Sequence, residues 1–237
     1  MVRSRRIGAL TVLGLVAALG TVAPSSATAA QSQTITFTNS VQSGADWYRG
    51  DSILGFEYSA EAEASSGLQV VYSIAPESAG VCSISTHPLF PSDGTWAPIS
   101  FDHAGTCTIW ADQPGDADYL PAPRATQTFQ IEKVPTWIDQ VKAKRGLPGH
   151  AARFSARLKT WRFVSSMWIG VEPFDGEPVT FSVAGRPVCT GTTGADGIAT
   201  CQGPLLRSEL SRLRFTATYA GTNDYKSVSG SAFFILG

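Results

Sequence analysis

Gly115-Asp116-Ala117-Asp118-Tyr119 and Gly221-Thr222-Asn223-Asp224-Tyr225 are two copies of one pattern: a glycine, two variable residues, then Asp-Tyr. Each copy follows an alternating apolar run, Cys107-Thr-Ile-Trp-Ala111 or Phe215-Thr-Ala-Thr-Tyr219, and each leads into a second β-rich run, Thr128-Phe-Gln-Ile131 or Ala232-Phe-Phe-Ile235. Period-two alternation on both sides of a glycine-containing turn is the signature of a hairpin. The chain therefore carries a strand, turn, strand unit twice. In such a unit glycine permits positive φ, aspartate hydrogen-bonds its own backbone two residues on, and tyrosine lays its ring over the end of the sheet with its hydroxyl in water. On this reading the unit is a fastener at the last hairpin of each of two modules.

Working outward, further strand signals in the first half are Gln33-Thr-Ile-Thr-Phe-Thr38, which reads as an edge strand, Phe56-Glu-Tyr-Ser-Ala60, Val70-Val-Tyr-Ser-Ile74, Val81-Cys-Ser-Ile84 and Ile99-Ser-Phe101. Gly- and Pro-bearing turn signals separate them. The second half continues with Arg153-Phe-Ser-Ala-Arg-Leu158, Pro178-Val-Thr-Phe-Ser-Val183, Val188-Cys-Thr190 and Gly197-Ile-Ala-Thr-Cys201, and residues 204–210 read as a single helical turn. Many short strands without a helical period predict an all-β protein of two tandem β-sandwiches. Between them, Lys133-Val-Pro-Thr136 is a short join that its proline makes semi-rigid.

The first 29 residues read as a secretory signal peptide: a basic start at Arg3, Arg5 and Arg6, an apolar segment from Ile7 to Val22, and small residues at Ala27-Thr-Ala29. As a membrane anchor that segment is interrupted by Gly8, Gly14 and Gly20, where a span needs roughly 18 to 20 apolar residues in a row. Removal leaves 208 of 237 residues, a length that suits two modules of about 100 residues. The expected product is soluble and released, with no transmembrane segment and no sorting tail after Phe233-Phe-Ile-Leu-Gly237.

Export makes disulfides the default use of the four cysteines. The repeat boundary selects Cys82 with Cys107 and Cys189 with Cys201, one pair per half. The second pair flanks the turn signal Gly194-Ala-Asp-Gly197, where a hairpin centred on Ala195 sets the two sulfurs directly cross-strand and one centred a residue later sets them on a diagonal. Zinc is disfavoured, because there is no Cys-x-x-Cys pair and His87, His103 and His150 are scattered. Charge is asymmetric. After Ala29 the chain holds 15 Lys and Arg against 19 Asp and Glu; residues 30–133 carry 3 basic and 12 acidic groups (−9), residues 134–237 carry 12 and 7 (+5).

The first half, with Cys82, Gly105-Thr-Cys-Thr-Ile109, Gly115-Asp-Ala-Asp-Tyr119 and Thr126-Gln-Thr-Phe-Gln-Ile131, resembles a bacterial immunoglobulin-like domain of secreted and surface proteins. The second half resembles a related type through Pro178-Val-Thr-Phe-Ser-Val183, Cys189-Thr-Gly-Thr-Thr193, Asp196-Gly-Ile-Ala-Thr-Cys201 and Ala217-Thr-Tyr-Ala-Gly221. The resemblance implies immunoglobulin-like domains over residues 31–133 and 136–237 and leaves the ligand open. The departure from the family pattern is residues 159–174, longer and more aromatic than expected.

Three groups of residues are candidates for function. Trp161, Arg162 and Trp168 form either a binding platform, since Trp and Arg dominate binding hot spots, or part of the core and the junction between the halves. Trp96, Trp110 and Trp137 are assigned to packing, with Trp110 a core residue beside Cys107. Asp112, Asp116 and Asp118 are calcium candidates on a loop, weighed against a turn role. The basic run of Lys142, Lys144, Arg145, Arg153, Arg157, Lys159 and Arg162 serves as a solvated face, as a dock for the acidic first half, or as a surface for anionic polymers; the sparse aromatic interleaving and the secreted context argue against nucleic acid. No Gly-x-Ser-x-Gly, His-Glu-x-x-His or phosphate-binding glycine loop occurs. The expectation is a secreted, non-catalytic binding, adhesion or spacer protein at or near a bacterial cell surface. It needs no cofactor, and its partner is a protein or cell-wall polysaccharide. The alternative is a secreted carbohydrate-active or other hydrolytic enzyme, or an accessory to one.

Overall fold

The computed structural model describes residues 29–39, 47–48, 58–85, 96–145, 151–164, 167–209 and 211–235, with the side chains of residues 47, 48 and 162–169 left outside that description. The expected signal peptide thus lies outside the described residues, apart from Ala29. No described helix is long and apolar enough to cross a membrane. The chain is mostly β.

In the N-terminal half, β1 (Ile35–Phe37), β3 (Tyr58–Ala64), β6 (Trp96–Phe101) and β5 (Cys82–Ile84) form one sheet in the order β1-β3-β6-β5. A second sheet runs β2 (Trp47–Tyr48), β8 (Ala125–Glu132), β7 (Gly105–Asp112), β4 (Val71–Ile74). Alternation sorts each strand: in β3 Tyr58, Ala60, Ala62 and Ala64 are buried while Glu61 and Glu63 face water. Ile99 and Phe101 from the first sheet meet Ile109, Phe129 and Ile131 from the second in one core. Cys82 lies in the first sheet and Cys107 in the second, so their disulfide, with a Cα–Cα distance of 5.8 Å, staples the two layers through that core. Closing such a loop contributes about 3 kcal/mol.

Trp110 does not sit in this core. It is three residues from Cys107, and an odd spacing on a strand places side chains on opposite faces. Cys107 is fully buried, whereas the half-buried Trp110 ring lies outside under the Arg124 guanidinium at 3.9 Å.

The C-terminal half is built on β9 (Thr136–Lys144), β10 (Ala152–Val164), β11 (Met167–Pro173), β12 (Pro178–Val183), β13 (Arg186–Thr192), β14 (Ile198–Gly203), β15 (Arg214–Tyr219) and β16 (Val228–Ile235), hydrogen-bonded along the path β11-β10-β9-β16-β15-β12-β13, with β14 on β10. Phe154 and Leu158 of β10 pack with Val179 and Phe181 of β12 and with Phe215 and Ala217 of β15 in a second core. The path turns at β9, which keeps β10 along one edge throughout and takes β16 on the other only at Ala143 and Lys144. It pairs antiparallel with β10, shifts register between Ser155 and Arg157 opposite Gln140 at φ 47°, and then meets β16 in parallel at Ala143. Such a bulge re-aims a strand.

On the other side the layers are joined by Cys189–Cys201, with a Cα–Cα distance of 6.1 Å. The bridge pair Thr193↔Ala199 centres the connecting hairpin on Asp196, the diagonal register. The bond forms because the two strands part beyond that pair, β13 going to β12 and β14 to β10. Gly191 permits this approach, since a Cβ there would stand 2.4 Å from the Thr200 carbonyl oxygen. The aromatic stretch at residues 159–174 is an extension: β10 runs on past β14 and forms a hairpin with β11.

The two fasteners have one geometry. Gly115 and Gly221 both take φ +80°, and a Cβ at either would stand 2.4 Å or 2.7 Å from the carbonyl oxygen of Tyr119 or Tyr225. The residue after the glycine closes the turn: Asp116 Oδ1 accepts from the Asp118 and Tyr119 amides at 2.8 and 2.9 Å, and Thr222 Oγ1 accepts from those of Asp224 and Tyr225 at 3.2 Å each. The expected role of the motif aspartate belongs to the residue two positions before it. The Tyr225 ring packs against that of Phe174, with centroids 4.5 Å apart.

Each fastener also grips the chain entering its half. The Gln31 amide donates to the Asp118 carbonyl at 2.7 Å, and Leu120 donates back to Gln31 at 2.8 Å; Val134 and Asp224 repeat the first bond at 2.7 Å, Lys226 and Val134 the second at 2.9 Å. Val134 is the join between the halves, so this second grip fixes the junction. The Asp224 carboxylate then accepts the Ala104 amide at 3.0 Å and faces His103 Nδ1 at 3.0 Å, while Lys133 Nζ donates to the Thr222 carbonyl at 2.8 Å.

At the opposite end of the C-terminal half, Arg186 donates from Nε to Glu209 at 2.7 Å, and the Leu206 amide donates to the same carboxylate at 2.8 Å. Arg186 foremost holds the buried Glu209 carboxyl below its ordinary range of 4.5 against the opposing effect of burial.

Two outcomes are expected. Gly115→Ala combines left-handed strain with a backbone clash and lowers unfolding free energy by roughly 2 kcal/mol or more, whereas Gly67→Ala, at φ +76° with nothing within 4 Å, loses less; equal losses in denaturant titrations would contradict the close-approach account. The depressed folded-state value of Glu209 makes its contribution complete above the unfolded value near 4.5 and lost as pH falls through the folded one. The stability gap between wild type and E209Q should therefore close in acid, and a gap unchanged by pH would refute the pairing.

Candidate binding site

The odd-numbered residues of β10 from Arg153 to Trp161 point away from the core that Phe154, Ala156 and Leu158 fill. Pairing on both sides extends this outward face into rows. Arg153 stands between Lys144 of β9 and Gln202 of β14; Ser155 stands between Lys142 and Thr200. Arg157 follows beside Ile198, then Lys159 beside Trp137, then Trp161 beside Val171 of β11. At about 3.4 Å per residue the face is about 27 Å long.

Its two ends differ chemically. Near the junction, where Thr136 pairs with Thr160, the Trp137 and Trp161 rings stack with centroids 5.8 Å apart and planes 21° from parallel. Trp137 is 37% exposed and Trp161 half-buried beneath it. In the middle the cations are engaged: Lys159 pairs with Asp139, and Arg157 Nε donates to the Asp196 carbonyl at 3.0 Å. At the far end Lys142, Lys144 and Arg153 are exposed with no partner among the described residues, beside the polar ends of Ser155, Thr200 and Gln202. A cleft of about 700 Å³ opens here, lined also by Ile235.

The sequence candidates divide accordingly. Trp161 lies on the face together with Trp137, which sequence reading assigned to packing. Arg162 pairs with Gly170, and Phe163 with Trp168, in the β10–β11 hairpin; the side chains of Arg162 and Trp168 lie outside the described residues. Arg145 leaves the basic run, donating to the Arg212 carbonyl at 2.6 Å with its guanidinium 5.0 Å from the Phe234 ring centre. Lys142, Lys144 and Arg153 do not dock the acidic half: they lie at the end of β9 and β10 remote from Val134, and the junction bonds among the described residues come from Lys133, Lys226, His103 and Asp224. Thr200 and Gln202 went unread in sequence, although the alternation of β14 carried their signal.

The three aspartates do not converge on one point. Arg124 grips Asp112 with two hydrogen bonds of 2.8 and 2.9 Å, a contact that also holds the guanidinium pKa above its ordinary value. Asp116 is spent on its turn, and Asp118 is exposed. No group of three or more His, Cys, Asp or Glu side chains among the described residues is arranged to hold a metal.

No protein-family model matches the chain, and no curated protein matches it in sequence.

Proposed function

We propose that the chain is a secreted, non-catalytic binding protein of two tandem immunoglobulin-like domains, residues 31–133 and 136–237, exported by residues 1–29, and that it holds an anionic cell-wall polysaccharide on the outer face of β9, β10 and β14. The sheet orders β1-β3-β6-β5 and β4-β7-β8 support the domain type, because they follow the A-B-E-D and C-F-G pairing of immunoglobulin folds. The two disulfides support an oxidising compartment.

One observation carries the ligand: Lys142, Lys144 and Arg153, unpaired among the described residues, share one outward face with the stacked Trp137 and Trp161. Tryptophan rings offer an apolar surface to the CH faces of sugars. Guanidinium and ammonium groups select carboxylate or phosphate substituents. The hydroxyl and amide groups of Ser155, Thr200 and Gln202 suit ring hydroxyls. A spacer role is the second reading, favoured by the bonded junction at Val134 and Asp224.

Retention on immobilised polymers bearing carboxylate or phosphate tests the proposal. K142E/K144E/R153E and W137A/W161A should each weaken binding by about tenfold or more, and added salt should weaken the wild type. Wild-type retention in both variants would exclude this face.

A further inference from the structure

Among the described residues the exposed large apolar side chains fall in three places. Trp137 and Val171 belong to the binding face. Leu206, Leu213, Phe233 and Ile235, between 52% and 63% exposed, gather at the outer end of the C-terminal half, where Leu213 accepts the Phe234 amide and Phe233 pairs with Arg214. Val71 and Leu120, 58% and 50% exposed, mark the outer end of the N-terminal half, Val71 opposite Asp112 and Leu120 immediately after the fastener Tyr119. Exposed apolar side chains at both ends supply surface that a contact there would cover.

The two ends are opposite in charge. Arg207, Arg212 and Arg214 are exposed at the C-terminal end, and Glu209, the acid among them, is taken by Arg186. At the N-terminal end Asp118 is exposed with no partner for its carboxylate among the described residues. The chain also contains a finished example of the contact these ends would make. Asp224, the counterpart of Asp118 in the second fastener, docks on His103 and Ala104, which connect β6 to β7. The corresponding connection in the C-terminal half joins β14 to β15, and it carries Leu206, Arg207, Arg212 and Leu213. The internal junction thus uses one fastener and one such connection; the other fastener and the other connection face outward at opposite ends.

We propose that a second copy of this chain fills them, the β14–β15 connection of one copy docking on the fastener at residues 115–119 of the next, with arginine taking the place at Asp118 that His103 holds at Asp224. Charge sets the direction, since the basic half of one copy meets the acidic half of another. The two surfaces are different, so the contact is heterologous and adds copies head to tail without closing on a dimer.

Sedimentation velocity of residues 30–237 at rising concentration tests this, with D118K, R207E/R212E and the chain carrying all three reversals. Wild type should grow beyond dimer at low salt and revert to monomer at high salt. D118K alone and R207E/R212E alone should remain monomeric, and the three reversals together should restore growth. All three positions are exposed, so each variant retains its fold. A wild type that stays monomeric or stops at dimer, assembly that survives either reversal alone, or failure of the combined reversal to restore it would each overturn the proposal.

Discussion

The parallel grip between an entering strand and a glycine-cornered loop is the constraint on which the rest depends. Loop and incoming chain bond through two backbone hydrogen bonds, between Gln31 and residues 118 and 120 in one half and between Val134 and residues 224 and 226 in the other. The loop can offer those groups only because glycine at φ +80° lets it turn back against the tyrosine carbonyl. Within the first half this grip is a local detail. At Val134 it turns a linker into a jointed seam, and Asp224 extends the seam to the β6–β7 connection of the preceding half.

A fixed seam has consequences for the outer surface. The outward face of β9 and β10 begins at the junction with Trp137 and Trp161 and runs toward the basic end at Lys144 and Arg153. The bulge at Gln140 and the extension of β10 beyond β14 create this surface, because together they let one long strand serve three neighbours. Each cation on it is sorted by its surroundings: Arg157 and Lys159 are consumed by Asp196 and Asp139, while those beyond them face solvent.

Much of this was legible in sequence, for identifiable reasons. The hairpins and the edge position of β1 follow from period-two patterning and turn residues, which are local, and the cysteine pairing follows from the repeat boundary those hairpins mark. Contacts between elements distant in the chain were not legible. Asp224 reads as a turn residue until the fold brings Ala104 to it, 120 positions away. Trp110 was misplaced because its chain proximity to Cys107 outweighed the parity of a strand, and the stacking of Trp137 on Trp161 was not legible because the two lie 24 residues apart. The basic run reads as one patch in sequence, yet the sheet sends Arg145 elsewhere and engages Arg157 and Lys159, while Lys142, Lys144 and Arg153 stay exposed.

The seam at Val134 and Asp224 is tested most directly by residual dipolar couplings measured on both halves of the intact protein. One inter-domain orientation should fit the couplings of the wild type, and Asp224→Ala should average them without altering the couplings within either half. Couplings that require independent tumbling of the two halves in the wild type would contradict the account.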